Sequence, residues 1–294
     1  MLQTLLIPID FTIHTARALN YAVQVSQQSN AVITVLSSIH QQSESADDLL
    51  HLLNVADELA HLHFTDIVQK IHSKEILSGI KAQYHYIPNM TSESIIEEVK
   101  RKDFGLLVMS AKKKGWLSEL SAGNFFKDTI RNLFFGSTLE NLIATPLPCP
   151  LLIVPETCTY KAIKRVMYAT NLSANERTLQ KLHDFTEAVG AFTNFVHVVI
   201  EETRSHNKKL MEFYKKADTI LGKGRYDLTE INHSSVDEAL SDYLKQHSET
   251  DLVAMVERTN KGRLDKWLLN SVTRRMAYKA PVPLLLLHDT EDEL

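Results

Sequence analysis

Leu5-Leu6-Ile7-Pro8-Ile9-Asp10 is a short, almost wholly apolar run that closes on an acid, with a helical pattern behind it. Val166-Met167-Tyr168-Ala169-Thr170-Asn171 has the same build and is also followed by a helical pattern. Further on, Leu106-Leu107-Val108-Met109 leads to Pro148-Cys149-Pro150-Leu151-Leu152-Ile153-Val154. Leu252-Val253-Ala254-Met255 leads likewise to Pro281-Val282-Pro283-Leu284-Leu285-Leu286-Leu287. One architectural unit is therefore written twice, which bears on the whole fold. Apolar runs of this length, bounded by polar residues, suit strands covered on both faces. Their alternation with helices implies parallel pairing, right-handed crossovers and helices on both faces of the sheet. The expected fold is α/β: two tandem doubly wound, Rossmann-like domains, each a five-stranded, mainly parallel sheet. The domains are expected at 1–156 and 162–294, with a linker near Pro155 to Lys164.

Helix signals fill the gaps between the strands. Thr12 can cap a helix whose apolar stripe is Ala16, Leu19, Ala22 and Val23. Thr91 or Ser92 caps one carrying Ile95, Ile96 and Val99. Ser173 is expected to cap a helix with Leu179, Leu182, Phe185 and Val189, ended by Gly190. The periodicity predicts a further helix from Leu210 to Leu221, and helical spacing also runs through Ser43 to Leu77. The offset between equivalent positions shrinks along the chain. The first copy therefore carries extra residues before its fourth strand and again at 112–135.

The 294 residues suffice for two domains of ordinary size. A net charge of -4 speaks against a general nucleic-acid surface, which would be basic. No apolar run approaches the roughly 20 residues that span a bilayer, and no secretory signal pattern opens the chain. Two cysteines, Cys149 and Cys158, do not make a disulfide framework, so a reducing cytoplasm is the expected location.

Ligands of doubly wound sheets bind outside the carboxyl ends of the strands, where the strand order reverses. In the first copy Asp10 and Phe11, Ser37 and Ser38, and Met109 to Lys114 stand there, and Gly136-Ser137-Thr138 opens the last helix. A helix start offers N–H groups and a dipole to an anion. These residues resemble the universal stress protein family in its tandem form, over essentially the whole chain. Pro8-Ile9-Asp10 is similar to the family's Pro-x-Asp at the end of the first strand. Met109 stands where its Met-Gly-x-x-Gly loop begins, Gly136-Ser137 where a Gly-Ser or Gly-Thr pair starts a helix, and Pro148-Cys149-Pro150 before the last strand. The resemblance implies a role in stress response and signalling through a ligand or protein partner; charge and hydropathy, as above, speak against nucleic acid and membrane as partners. It also implies that the last strands pair across an intramolecular pseudo-dimer, Leu151 to Val154 against Leu284 to Leu287. A further homodimer is compatible with this arrangement. The cofactor it implies is ATP or another adenine nucleotide in the N-terminal half, held by Pro8, Asp10, Ser38, Met109, Ser110, Lys113, Gly136, Ser137 and Thr138.

The loop departs from the family pattern. Ser110 and Lys113 occupy its first two glycine positions, and the stretch to Gly136 is about twice as long as in the family. In the second copy Val256, Thr259 and Asn270 replace the three glycines and Asn171 replaces the acid, while Ser271 matches. A β-branched Val256 sits where backbone would approach a phosphate. Three readings follow. Both nucleotide sites are degenerate in a signalling module; or the first half binds ATP and hydrolyses it slowly; or the 112–135 insertion, with Trp116, Phe125 and Phe126, is a partner surface. For the site residues the plain alternative is that Asp10 caps a helix, Gly136-Ser137 starts one and Lys112 to Lys114 are solvated. No catalytic residue is assigned, since neither a Gly-x-Ser-x-Gly elbow nor a Cys-His motif is present. No metal site is expected either. His51, His61, His63 and His72 cluster without the i, i+4 histidine pair of zinc motifs, and Asp57 with His61 reads as an exposed helix-face pair.

Overall fold

The computed structural model of the chain describes residues 2–9, 13–38, 82–87, 90–111, 136–155, 158–173, 175–201, 205–258, 273, 276–277 and 280–289. The first half runs β1 (Thr4–Pro8), α1 (Ile13–Ser29), β2 (Val32–Ser38), β3 (Ala82–Ile87), α2 (Ser92–Arg101), β4 (Leu106–Ala111), α3 (Gly136–Ala144) and β5 (Leu151–Pro155). The second runs β6 (Arg165–Thr170), α4 (Glu176–Val189), β7 (Phe192–Val199), α5 (His206–Ile220), β8 (Tyr226–Asn232), α6 (Val236–Gln246), β9 (Leu252–Arg258) and β10 (Leu284–Asp289).

The ten strands of the described residues lie in one sheet, in the order β3-β2-β1-β4-β5-β10-β9-β6-β7-β8. Each half has the same internal order, with a reversal beside its first strand. Every pairing within a half is parallel, and the halves meet in an antiparallel pair, β5 on β10. There Leu284 stands opposite Ile153, Leu285 opposite Leu152 and Leu286 opposite Leu151. The doubly wound halves expected from the sequence are present, and they fuse into one continuous sheet.

The apolar runs become strands because both faces are covered. All of β4 and β5 is buried, and Leu284 to Leu287 have no exposed surface. Successive residues feed opposite cores. Leu5, Val35, Val108, Leu152, Tyr168, Phe195 and Leu285 fall in one hydrophobic cluster, Leu6, Leu36, Met109, Ile153, Met167 and Leu284 in the other. Both clusters contain residues of both halves, so neither core ends at the joint. Each fully buried leucine there contributes about 1.5–3 kcal/mol.

Across the joint α1 packs on α4. The Gln28 side chain of α1 donates to the carbonyls of Ile163 (2.8 Å) and Val189 (2.5 Å). It accepts from Tyr160 Oη (2.7 Å) and the Ile163 N–H (3.2 Å). One amide thus ties the first half to the segment before β6 and to the end of α4.

Capping corrects one expectation. Asn175, not Ser173, is the N-cap of α4, its Oδ1 accepting from the Thr178 N–H at 2.7 Å. Ser173 is engaged in a tight turn, donating N–H (3.2 Å) and Oγ–H (2.8 Å) to Asn171 Oδ1. Gly190 ends α4 in the left-handed region at φ 66°, as expected. Thr91 caps α2 through a reciprocal pair with Ser94. Helix α5 begins four residues before the first apolar stripe residue, because its opening turn, His206-Asn207-Lys208-Lys209, is entirely polar. The expected Thr12 cap and the helical pattern of 43–77 lie outside the described residues.

Candidate functional site

In the first half the strand order reverses between β1 and β4, so the crevice lies at their carboxyl ends. Pro8 ends β1 opposite Leu36, and the Ile9 N–H extends the ladder to the Leu36 carbonyl at 2.9 Å. Ser38 ends β2, while Ser110 stands next to last in β4 opposite Val154. Gly136 and Ser137 open α3, with the part-buried Thr138 behind them. The fold thus brings Pro8, Ser38, Met109, Ser110, Gly136, Ser137 and Thr138 to one edge of the sheet. Met109 is 1% exposed and shares a hydrophobic cluster with Leu139 and Leu142 of α3, so its side chain works in the core. Asp10, Lys113 and the 112–135 insertion lie outside the described residues.

The equivalent edge of the second half holds a cavity of about 120 Å³. Its lining is mainly apolar: Tyr168, Ala169 and Val196 from β6 and β7, Leu240 from α6, Met255 and Val256 from β9. A cavity of about 150 Å³ holds a single benzene ring, so this volume suits a ring-sized apolar group better than a triphosphate. Thr170 Oγ accepts from the Leu172 N–H at 3.0 Å, and with Asn171 it builds the turn after β6. Leu172 is held there at φ 64°, a conformation that costs a non-glycine residue about 1–2 kcal/mol. Asn171 occupies the acid's position and turns the chain with its side-chain carbonyl.

A third feature of this edge was invisible in the sequence. His197 of β7, His206 at the start of α5 and Glu230 of β8 bring one ligand atom each to within 4.8 Å of one another. No local spacing links them, since parallel register alone sets His197 opposite Glu230. The expectation of no metal site rested on spacing along the chain, which does not reach a grouping of this kind.

Cys149, between its two prolines, is buried, and burial pushes its thiol up to about 12. It packs as a small hydrophobe. Among the described residues no helix is long and apolar enough to cross a membrane.

Residues 1–155 match the model of the universal stress protein family. The chain belongs to this family. A universal stress protein from Archaeoglobus fulgidus DSM 4304 is similar over 97% of this chain and 98% of its own, at 17% identity and a TM-score of 0.62. A putative universal stress protein from Pseudomonas aeruginosa UCBPP-PA14 is similar over 98% of this chain and 93% of its own, at 13% identity and a TM-score of 0.58. A functionally unknown protein from Pseudomonas aeruginosa PAO1 is similar over 98% and 92%, at 12% identity and a TM-score of 0.57. At such identities these likenesses establish the universal stress protein fold alone. No curated protein matches the chain by sequence.

Proposed function

We propose that this universal stress protein acts in stress response and signalling by binding a ligand or partner, and that both of its nucleotide sites are degenerate. The observation that carries this reading is the apolar cavity at the carboxyl edge of the second half. Met255 and Val256 line it, Val256 where the family's loop presents glycine backbone to phosphates. The side chain of Val256 occupies space that a phosphate needs, and among the described residues the lining offers no cation. The proposal divides the chain into a first domain, 1–156, and a second, 162–294, working as an intramolecular pseudo-dimer in the cytoplasm. Calorimetric titration of the full chain with ATP tests it: no tight binding is expected, and micromolar affinity overturns it.

The start of α3 favours a second reading, ATP binding in the first half. Gly136 opens that helix beside the carboxyl ends of β1 and β4, where free N–H groups suit phosphates. Pro8, Asp10, Ser38, Met109, Ser110, Lys113, Gly136, Ser137 and Thr138 would surround the nucleotide. On this reading Asp10→Ala and Gly136→Val each abolish a measurable ATP affinity, and unchanged affinity in both removes it.

A further inference from the structure

His197 and Glu230 face each other across the β7–β8 ladder, and His206 is the first residue of α5. Alternation puts His197 and Glu230 on the sheet face of Phe195 and Tyr226, whose rings meet edge to face, while Val196 and Val198 line the cavity on the opposite face. The group is therefore separate from that cavity. His206 Nε2 stands 2.7 Å from Glu230 Oε1, and the two imidazoles stack with centroids 5.5 Å apart.

We propose that His197, His206 and Glu230 form a binding site for one divalent first-row transition cation, with open coordination positions for water or a further ligand. Two imidazoles and a carboxylate are a donor set that zinc, iron(II) and nickel accept and that alkaline-earth ions, which prefer all-oxygen sites, do not. His197 is already oriented for the task. Its Nδ1 lies 2.9 Å from the Thr170 carbonyl. A carbonyl only accepts, so Nδ1 carries the proton and Nε2 is left with its lone pair. Metal-binding histidines are positioned by this kind of outer-shell hydrogen bond.

A His206–Glu230 pair would need no third residue, and it does not account for a ligand atom of His197 lying within 4.8 Å of both. Zinc holds nitrogen and oxygen at about 2.0–2.2 Å, which sets tetrahedral neighbours about 3.3 Å apart. Reaching that spacing takes small rotations of His206 and Glu230, whose side chains are 18% and 36% exposed and have room to turn. The positive end of the α5 dipole works against a cation, and the Glu230 carboxylate supplies the opposing charge. The duplication gives an internal control. By strand register Ser37 and Tyr86 of the first half stand where His197 and Glu230 stand in the second. The site thus belongs to the second half alone, and it does not rest on the nucleotide readings above.

The test uses the full chain, stripped with a chelator and titrated with Zn²⁺ by calorimetry, with Co²⁺ absorption as a second readout. The wild type is expected to bind one Zn²⁺ at a site that His206→Asn, His197→Asn and Glu230→Gln each weaken at least about tenfold, since even an outer-shell partner is worth that much. The Co²⁺ ligand-field bands are expected to fall in parallel. Histidines elsewhere in the chain contribute equally to all four proteins, so the difference between them is what is read. Should a histidine variant lose its circular-dichroism spectrum, Glu230→Gln, at an exposed position, carries the test. Equal Zn²⁺ stoichiometry and affinity in wild type and folded variants overturns the proposal and leaves His206–Glu230 as an ion pair only.

Discussion

His288 makes the stability of the joint between the two halves depend on pH. It lies in β10 and is 1% exposed. Its Nε2–H donates to the Ile143 carbonyl at the end of α3, at 3.2 Å, so it links the second half to the first. Its Nδ1 has no hydrogen-bond partner among the described residues. Burial lowers its pKa from 6.5 to about 4; the Ile143 carbonyl works against that shift and the Lys181 ammonium adds to it. Above pH 6.5 the folded and unfolded states both hold a neutral imidazole, and His288 gives no slope. Between 6.5 and about 4 the unfolded chain binds a proton that the folded chain refuses, so stability falls as pH falls. The limiting slope is about 1.4 kcal/mol per pH unit, and the whole interval corresponds to about 3 kcal/mol. Urea unfolding followed by circular dichroism from pH 7.5 to 4.5, on wild type and on His288→Gln, isolates the effect because other titrating groups are common to both. His288→Gln is expected to start less stable and to lose less on acidification, so the two curves converge. His288→Leu repeats the test without a polar side chain. Parallel curves across the interval refute the reasoning.

Three further outcomes follow from the packing. Gln28→Ala strips hydrogen bonds from Tyr160, from the Ile163 N–H and from two carbonyls at the joint; it should destabilise the chain by about 1–3 kcal/mol in urea unfolding, and a change within about 0.5 kcal/mol counts against the role given to it. Leu285→Ala removes a fully buried side chain opposite Leu152. A loss of about 2–5 kcal/mol is expected, in a single transition because both cores cross the joint, and two separated transitions by calorimetry would contradict the shared core. Thiol labelling at pH 8 with peptide mapping should modify half-buried Cys158 first and Cys149 only on unfolding, since burial raises both thiols and pushes Cys149 to about 12; equal native rates would show Cys149 to be accessible.

The strands were legible because their signal is local. An apolar run covered on both faces needs no distant information, and β1, β4, β5, β9 and β10 all read directly from such runs. The pairing of β5 with β10 was legible through resemblance, as no single strand declares its partner. Helix starts were harder. Ser173 and Asn175 are both good caps in isolation, and the choice between them fell to Asn171, which takes Ser173 into its own turn. The polar first turn of α5 carried no periodic signal at all. The cluster of His197, His206 and Glu230 could not be read, because its members lie on three elements and meet only after β7 and β8 adopt their register. The same holds for Met109, placed at the ligand edge by its motif and put to work in the core by the packing of α3.

The antiparallel joint has a consequence for where the two copies can diverge. Within each half all strands run the same way, so reversing one half against the other sends the two carboxyl edges to opposite ends of the sheet. The two crevices cannot merge into one ligand site, and each half changes its edge without disturbing its twin. The cores have no such freedom, since both clusters cross the joint and a residue lost from either half is felt by both. Duplication on this scaffold thus constrains the leucines of the joint, Leu152 and Leu285, while releasing the strand ends. That is the distribution found. The inner strands repeat the same apolar pattern twice, whereas the ends carry Pro8 against Ala169, Ser37 against His197, Tyr86 against Glu230 and Ser110 against Val256. Chemistry that differs between the halves should therefore be sought at those ends, one half at a time.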